Sequence, residues 1–167
     1  GTENPEGDVA LAAALCADGG DGLAGSSYVA VQRWEHNFDA FDAMGSTMQD
    51  ASIGRRRSDN VELDDAPDSA HVRRTAQEDF SPEAFVLRRS MPWIDADHAG
   101  LMFVAFGASL APFEAQLRRM SGAEDGVVDA LFRFTRPVSG AYYWCPPMTA
   151  GQLDLSAVGL DQQASPD

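Results

Sequence analysis

A chain of 167 residues with 44% hydrophobic content holds one ordinary domain's worth of sequence and enough apolar material for a core. Its charge is lopsided, 26 acidic residues against 12 basic ones for a net of −14, which argues against nucleic acid or an anionic membrane surface as a partner, because phosphate binding needs clustered positive charge. Every basic residue is arginine, so lysine Schiff-base chemistry and the P-loop lysine are excluded, and two cysteines, Cys16 and Cys145, cannot build a disulfide framework or a tetrathiolate metal site.

No C-x-x-C-H motif occurs, and no apolar run approaches the length of a membrane span. The chain opens at Gly1 without Met, in what reads as a polar loop, and so is expected to be a piece of a longer protein. Residues 1–7 carry turn chemistry, and an Ala/Leu-rich stretch over residues 9–16 predicts a short helix ended by Gly19, Gly20 and Gly22. Residues 28–34 are rich in β-formers and predict a strand. Phe38, Phe41, Met44 and Met48 come next at helical steps and predict a helix over residues 37–50, with an interruption at Gly45–Ser46–Thr47.

A long polar stretch, residues 54–83, shows little periodicity, and connections of that length in compact domains are often functional. Residues 85–91 alternate as a strand, with Val86, Arg88 and Ser90 on one face. Residues 101–106 form a near-continuous apolar run expected to be a buried strand. Leu110, Phe113, Leu117 and Met120 mark the buried stripe of a second helix closed by Gly122. A helical turn near residues 128–132 precedes a last strand at residues 140–144. The order strand, helix, strand, strand, helix, strand predicts an α+β, ferredoxin-like (split βαβ) fold: a four-stranded antiparallel sheet with helices on one face. The expected division is a domain over residues 1–150 and a polar tail over residues 151–167.

Three histidines are present. His36 sits after a strand where it can cap the next helix, and His98 lies in a turn between two strands, so both read as structural or solvated. His71 lies inside the long polar stretch, where a neutral imidazole could ligate iron. Arg88 and Ser90 share a strand face, which is either a solvated edge or a polar pair presented into a pocket; a guanidinium there stabilises developing negative charge without titrating. The run Arg55–Arg56–Arg57 is flanked by Asp59, Glu62, Asp64 and Asp65 and reads as a locally neutralised loop. Tyr142, Tyr143 and Trp144 read first as sheet core.

Six segments, in order, resemble the dye-decolourising (DyP-type) haem peroxidase family: GTENP at the start, SSYVAVQRWEHNFDAF, IGRRRSDNVEL, SAHVRR, FVLRRSMPW and FRFTRPVSGAYYW. They span roughly residues 1 to 145, the bacterial B-type subgroup is the best match, and the region matched is the C-terminal, haem-binding half. The resemblance implies a ferredoxin-like unit holding haem b non-covalently, with His71 as the proximal iron ligand and Arg88 as the distal arginine. It places Ser90 where the family carries a distal Ser or Asn, puts Gly1, Thr2, Glu3 and Asn4 against the cofactor, and sets the family's distal Asp immediately before Gly1. The family's Asp that hydrogen-bonds the proximal histidine aligns with Arg133, in L-F-R-F; Asp129, one helical turn earlier, could substitute, but Arg133 is the aligned residue.

The function that the resemblance implies is that of a peroxidase: reduction of hydrogen peroxide and oxidation of dye-like or phenolic one-electron donors, with Arg88 stabilising charge on the leaving oxygen. Trp34, Trp93, Tyr142, Tyr143 and Trp144 are candidate relays for donors too large for a pocket. No nucleic acid or membrane partner is expected, a homo-oligomer is left open, and a cytoplasmic location is the expectation. Two other readings are a haem-binding module with little turnover, favoured by Arg133 and the missing Asp, and a ferredoxin-like domain without haem that serves for dimer contacts.

Overall fold

The computed structural model describes residues 5–20 and 22–160. Its centre is a pair of long antiparallel strands, β1 (Ser27–His36) and β4 (His98–Gly107), in register from Tyr28 opposite Gly107 to Glu35 opposite Gly100. Strand β5 (Thr135–Cys145) flanks β1, and two short strands, β2 (Leu87–Arg88) and β3 (Met91–Asp95), flank β4. All pairings are antiparallel, and the order β2/β3, β4, β1, β5 is the ferredoxin-like one.

The expected second strand is therefore present but divided. Leu87 faces Phe106, Arg88 faces Ala105 and Met91 faces Met102, so β2 and β3 keep one register across the break. At the break Arg89 N donates to Val104 O at 2.8 Å, while Val104 N turns to the Ser90 hydroxyl at 3.4 Å. A side-chain oxygen thus stands in for a ladder carbonyl. Pro92, which lacks an N–H, is tolerated because this is an edge strand.

The helices are α1 (Pro5–Ala14), α2 (Phe38–Ala43), α3 (Ser46–Ile53), α4 (His71–Arg74) and α5 (Ala111–Met120). The first begins earlier than the sequence suggests, with Pro5 as its first residue, a position where a missing N–H costs nothing. The helix expected over residues 37–50 is two helices, divided where Gly45 takes φ 71°. Its N-cap is Asn37, whose side chain accepts from Ala40 N, so His36 is not the cap.

The core lies where α5 crosses the sheet. Ala30, Val86, Ala105 and Phe113 are buried together, with Phe103 and Leu117 packed against them. Small residues on β1 and β4 let the helix approach there. Further along the same sheet face stand Gln32, Trp34, His36, Leu101 and Phe103, and a cavity opens between them and the ends of α3, α4 and α5. The polar stretch over residues 54–83 is ordered by pairing rather than by periodicity: Arg55 binds Glu62, Arg56 binds Asp59, and Arg57 reaches Gln49. The start of the expected polar tail folds back, with Leu155 bridged to Leu160. Among the described residues no helix is long and apolar enough to cross a membrane.

Gly100 marks the tightest point of the sheet. A Cβ built on it would lie 1.8 Å from Trp34 O, the carbonyl that also accepts the Trp93 indole N–H at 3.0 Å. Gly100→Ala is expected to force β1 and β4 apart and cost about 1–3 kcal/mol, read as a lowered midpoint in calorimetry; an unchanged midpoint would show that the strands accommodate the methyl group.

Candidate functional site

The cavity has a volume of about 340 Å³, within the range of small-molecule sites, and most of its wall is apolar. Its sheet side is built by strand alternation: Gln32, Trp34 and His36 from β1, Leu101 and Phe103 from β4, and Arg88 from β2. Its helix side carries Ile53, His71, Thr75, Gln116, Leu117 and Met120. His71, within the polar stretch, and Arg88, on the strand that follows it, thus face one space from different elements.

His71 is the first residue of α4 and is held from behind. Its Nδ1 lies 2.8 Å from Oδ2 of Asp129, a side chain with no exposed surface. The other oxygen, Oδ1, accepts from Leu131 N at 2.8 Å. A carboxylate oxygen in this position accepts, so Nδ1 carries the ring proton and Nε2 keeps its lone pair. This is how protein sites prepare a histidine for a metal, with the outer nitrogen bound to a carboxylate and the inner one presented as a donor.

Helix α4 is only one turn long and needs external anchors. Arg74, nearly buried, forks onto Asp125 at 2.7 and 2.8 Å and also donates to Arg119 O. The Arg74 guanidinium, with the Val127 N–H behind it, holds the Asp125 carboxyl down at about 2. Gly54, at φ 90°, removes the side chain that would otherwise strike Val72, so α3 and α4 can meet.

The structure separates the residues that the sequence singles out. Arg133, aligned with the histidine's partner, instead directs its guanidinium to Met48 Sδ at 3.0 Å, and Asp129 takes the partner's place. Ser90 does not line the cavity; its hydroxyl completes the edge ladder beside Arg88. Gly1, Thr2, Glu3 and Asn4 lie outside the described residues. His98 is exposed, with Nδ1 2.6 Å from Glu35 Oε1. Of the aromatic candidates, Trp34 is buried in the cavity wall, Trp93 hydrogen-bonds its carbonyl, and Tyr142 packs edge-on against Phe113. Tyr143 is exposed, and Trp144 has a buried indole N–H with no partner among the described residues.

His36, structural by its sequence context, lines the cavity. The sequence does hold a signal for this: Gln32, Trp34 and His36 are spaced by two, so one more strand period puts His36 on the cavity face. Among the described residues no cluster of three or more His, Cys, Asp or Glu is arranged to hold a metal ion.

A comparison with protein families matches residues 1–150 to the family described as Dyp-type peroxidase, C-terminal. Curated relatives include a dye-decolorizing peroxidase of Rhodococcus erythropolis, 34% identical over 160 residues, which are 92% of this chain and 46% of that protein. Another, from Mycobacterium tuberculosis, is 32% identical over 152 residues, 87% of this chain and 45% of that protein. The chain therefore spans less than half the length of these relatives. Among solved structures, a dye-decolorizing protein from V. cholerae superposes with a TM-score of 0.73 at 38% identity, covering 80% of this chain and 45% of that one. A variant of DypB from Rhodococcus jostii, in complex with heme, gives 0.77 at 33% identity, covering 88% and 49%.

Two outcomes test the anchoring of the histidine. Asp129→Asn must keep its oxygen on Leu131 N and offer its amide to His71 Nδ1, which moves the ring proton to Nε2. Nitrogen NMR of the labelled imidazole is expected to show that tautomer change, with a stability loss of roughly 1–3 kcal/mol; an unchanged tautomer would remove Asp129 from the role. Because the Asp125 carboxyl is depressed in the fold, its contribution is fully present above its ordinary value of 3.8 and is lost as pH falls through about 2. The stability gap between wild type and Asp125→Asn should therefore close across that window in acid denaturation, and a gap that persists at the acid end would contradict the pairing.

Proposed function

Because the chain belongs to the Dyp-type peroxidase family, as its C-terminal part, we propose that the cavity holds haem b non-covalently and that the protein is a haem peroxidase. The observation that carries this reading is the His71–Asp129 hydrogen bond at the wall of an apolar cavity that Arg88 also lines. The donor set fits the group: one imidazole with a free Nε2, an apolar slot, and no competing ring of carboxylates among the described residues. Bound there, haem would supply the iron at which hydrogen peroxide is reduced and the oxidising equivalents that one-electron donors consume.

The protein's own part is positioning and electrostatics. His71 would hold the iron through Nε2, and the negative charge of Asp129 on its far nitrogen would strengthen it as a donor. Arg88 places a permanent positive charge at the cavity, where negative charge builds on a departing oxygen. Ser90 keeps the Arg88 strand in register through Val104 N. Phe103, Leu117 and Met120 keep water from the slot. Dye-like or phenolic compounds would be the donors.

The test is a haemin titration of wild type beside His71→Ala and Arg88→Ala. Wild type is expected to give a Soret band that His71→Ala shifts or abolishes. Arg88→Ala should keep the band and slow the reaction with peroxide by roughly 10²–10³-fold. A Soret band without peroxide-dependent dye oxidation would make the chain a haem-binding module instead, and no specific band in wild type would sink the haem assignment for this chain.

A further inference from the structure

Beside the haem-type cavity lies a larger and more polar groove of about 630 Å³. The two share a wall made of His36, Phe134 and Thr135. The groove's own surfaces combine apolar faces, from Phe38, Phe132 and Ile94, with charged side chains around Glu35. Glu35 is engaged on both oxygens, by His98 and by Arg136, and the hydrogen bond from His98 is the main reason its carboxyl lies below the usual range.

The shared histidine has a definable tautomer. Thr135 Oγ1 donates its single proton to Glu35 O at 3.0 Å. Toward His36 Nδ1, 2.7 Å away, the same hydroxyl can then only accept. Nδ1 therefore carries the ring proton, and Nε2 holds a lone pair with no protein partner among the described residues. Burial pushes His36 below the usual imidazole range, which favours the neutral ring. Phe38 packs edge-on to that ring at 5.8 Å, an arrangement an aromatic guest in the groove can extend.

We propose that this groove is the docking site for a hydroxylated aromatic electron donor, and that Nε2 of His36 accepts the donor's phenolic proton as its electron crosses the shared wall. The inference rests on the haem-peroxidase reading above. The O–H bond of the phenol breaks, its proton forms a bond to His36 Nε2, and one electron passes to the oxidant that peroxide generates at the haem. The donor leaves as a neutral aryloxyl radical, and the imidazolium returns its proton to water through the open groove. Without a base the donor must first form a high-energy radical cation, so a positioned acceptor selects donors that carry an ionisable hydroxyl.

The experiment has two arms. In the haem-free chain, nitrogen NMR of labelled histidine rings tracks a titration with p-cresol beside its methyl ether. The expected result is a shift of the His36 Nε2 signal with p-cresol and none with the ether, lost in Ile94→Arg, which crowds the groove; no shift with p-cresol would overturn the site. In the haem-loaded protein, His36→Gln is compared with wild type on hydroquinone and on ferrocyanide, which gives up an electron but no proton. The ratio of hydroquinone to ferrocyanide oxidation should fall roughly a hundredfold, whatever the variant does to both rates together, and the solvent deuterium effect on the hydroquinone rate should disappear. Thr135→Ser, which keeps the hydroxyl, should retain the wild-type rate. Equal losses on both donors, or none on hydroquinone, would overturn the role of His36. A wild type that forms no haem complex would defeat the peroxidase reading alone, because the p-cresol titration needs no haem.

Discussion

The carboxylate of Asp129 is the constraint on which the site depends. A side chain of that charge with no exposed surface is costly to bury unless its oxygens are satisfied. Here one oxygen takes the Leu131 N–H and the other takes His71 Nδ1. The backbone around it is tied as closely: Asp129 N donates to Met120 O at the end of α5, and Ala130 N donates to Ser69 O just before α4. One residue thus joins the last turn of α5, the 3₁₀ turn over Ala130–Arg133 and the loop that presents the histidine. Removing it would leave the part-buried Leu131 N–H unpaired and uncouple three segments at once, so its hydrogen bonds outweigh an ordinary surface ion pair.

The sheet sets where that knot can act. Ala30 and Ala105 let α5 sit close over one half of β1 and β4, while Trp34, Leu101 and Phe103 line the cavity further along. The short α4 could not persist alone. Its position is fixed by the fork from Arg74 to Asp125 on one side and by the bare Gly54 on another. Arg88 comes from the opposite direction, on an edge strand that keeps its register although Ser90 replaces a ladder carbonyl. The site is therefore assembled from both layers of the fold, and neither layer alone brings His71 to Arg88.

The strands are legible in the sequence because half-buried and buried strands announce themselves by alternation and by apolar runs. β4 and the α5 stripe need nothing else, and His71 and Arg88 stand out by type and context even though their meeting point does not. The histidine's partner is legible only as a substitute for the aligned residue. His71 and Asp129 are 58 positions apart, and alignment with the family favours Arg133, four residues on. A local cue does exist, since an aspartate two residues ahead of a turn N–H is ordinary capping chemistry. His36 is hidden for a different reason. The β-forming run stops at Trp34, which leaves out the next inward-facing position, and a histidine beside an asparagine that is the true cap passes for the cap itself.

Both histidines of the cavity are fixed by the same device, an oxygen acceptor on Nδ1 that leaves Nε2 as the base, but the acceptors differ in charge. Asp129 is a buried anion and makes His71 a stronger donor; Thr135 is a neutral hydroxyl, so His36 gains orientation without added basicity. A strong, fixed donor suits a permanent bond to iron, and a weak base that sheds its proton suits repeated transfer. Within the groove, the net charge of −14 is not what selects a small donor. At physiological salt, charges beyond about 8 Å are largely screened, so the side chains within reach govern. Around the groove these are Arg133, Arg136, Glu35, Asp39 and Asp97, with Arg136 and Glu35 already neutralising each other. Selection at such a surface falls to shape and to the hydroxyl proton, which are the two things His36 and its aromatic neighbours can read.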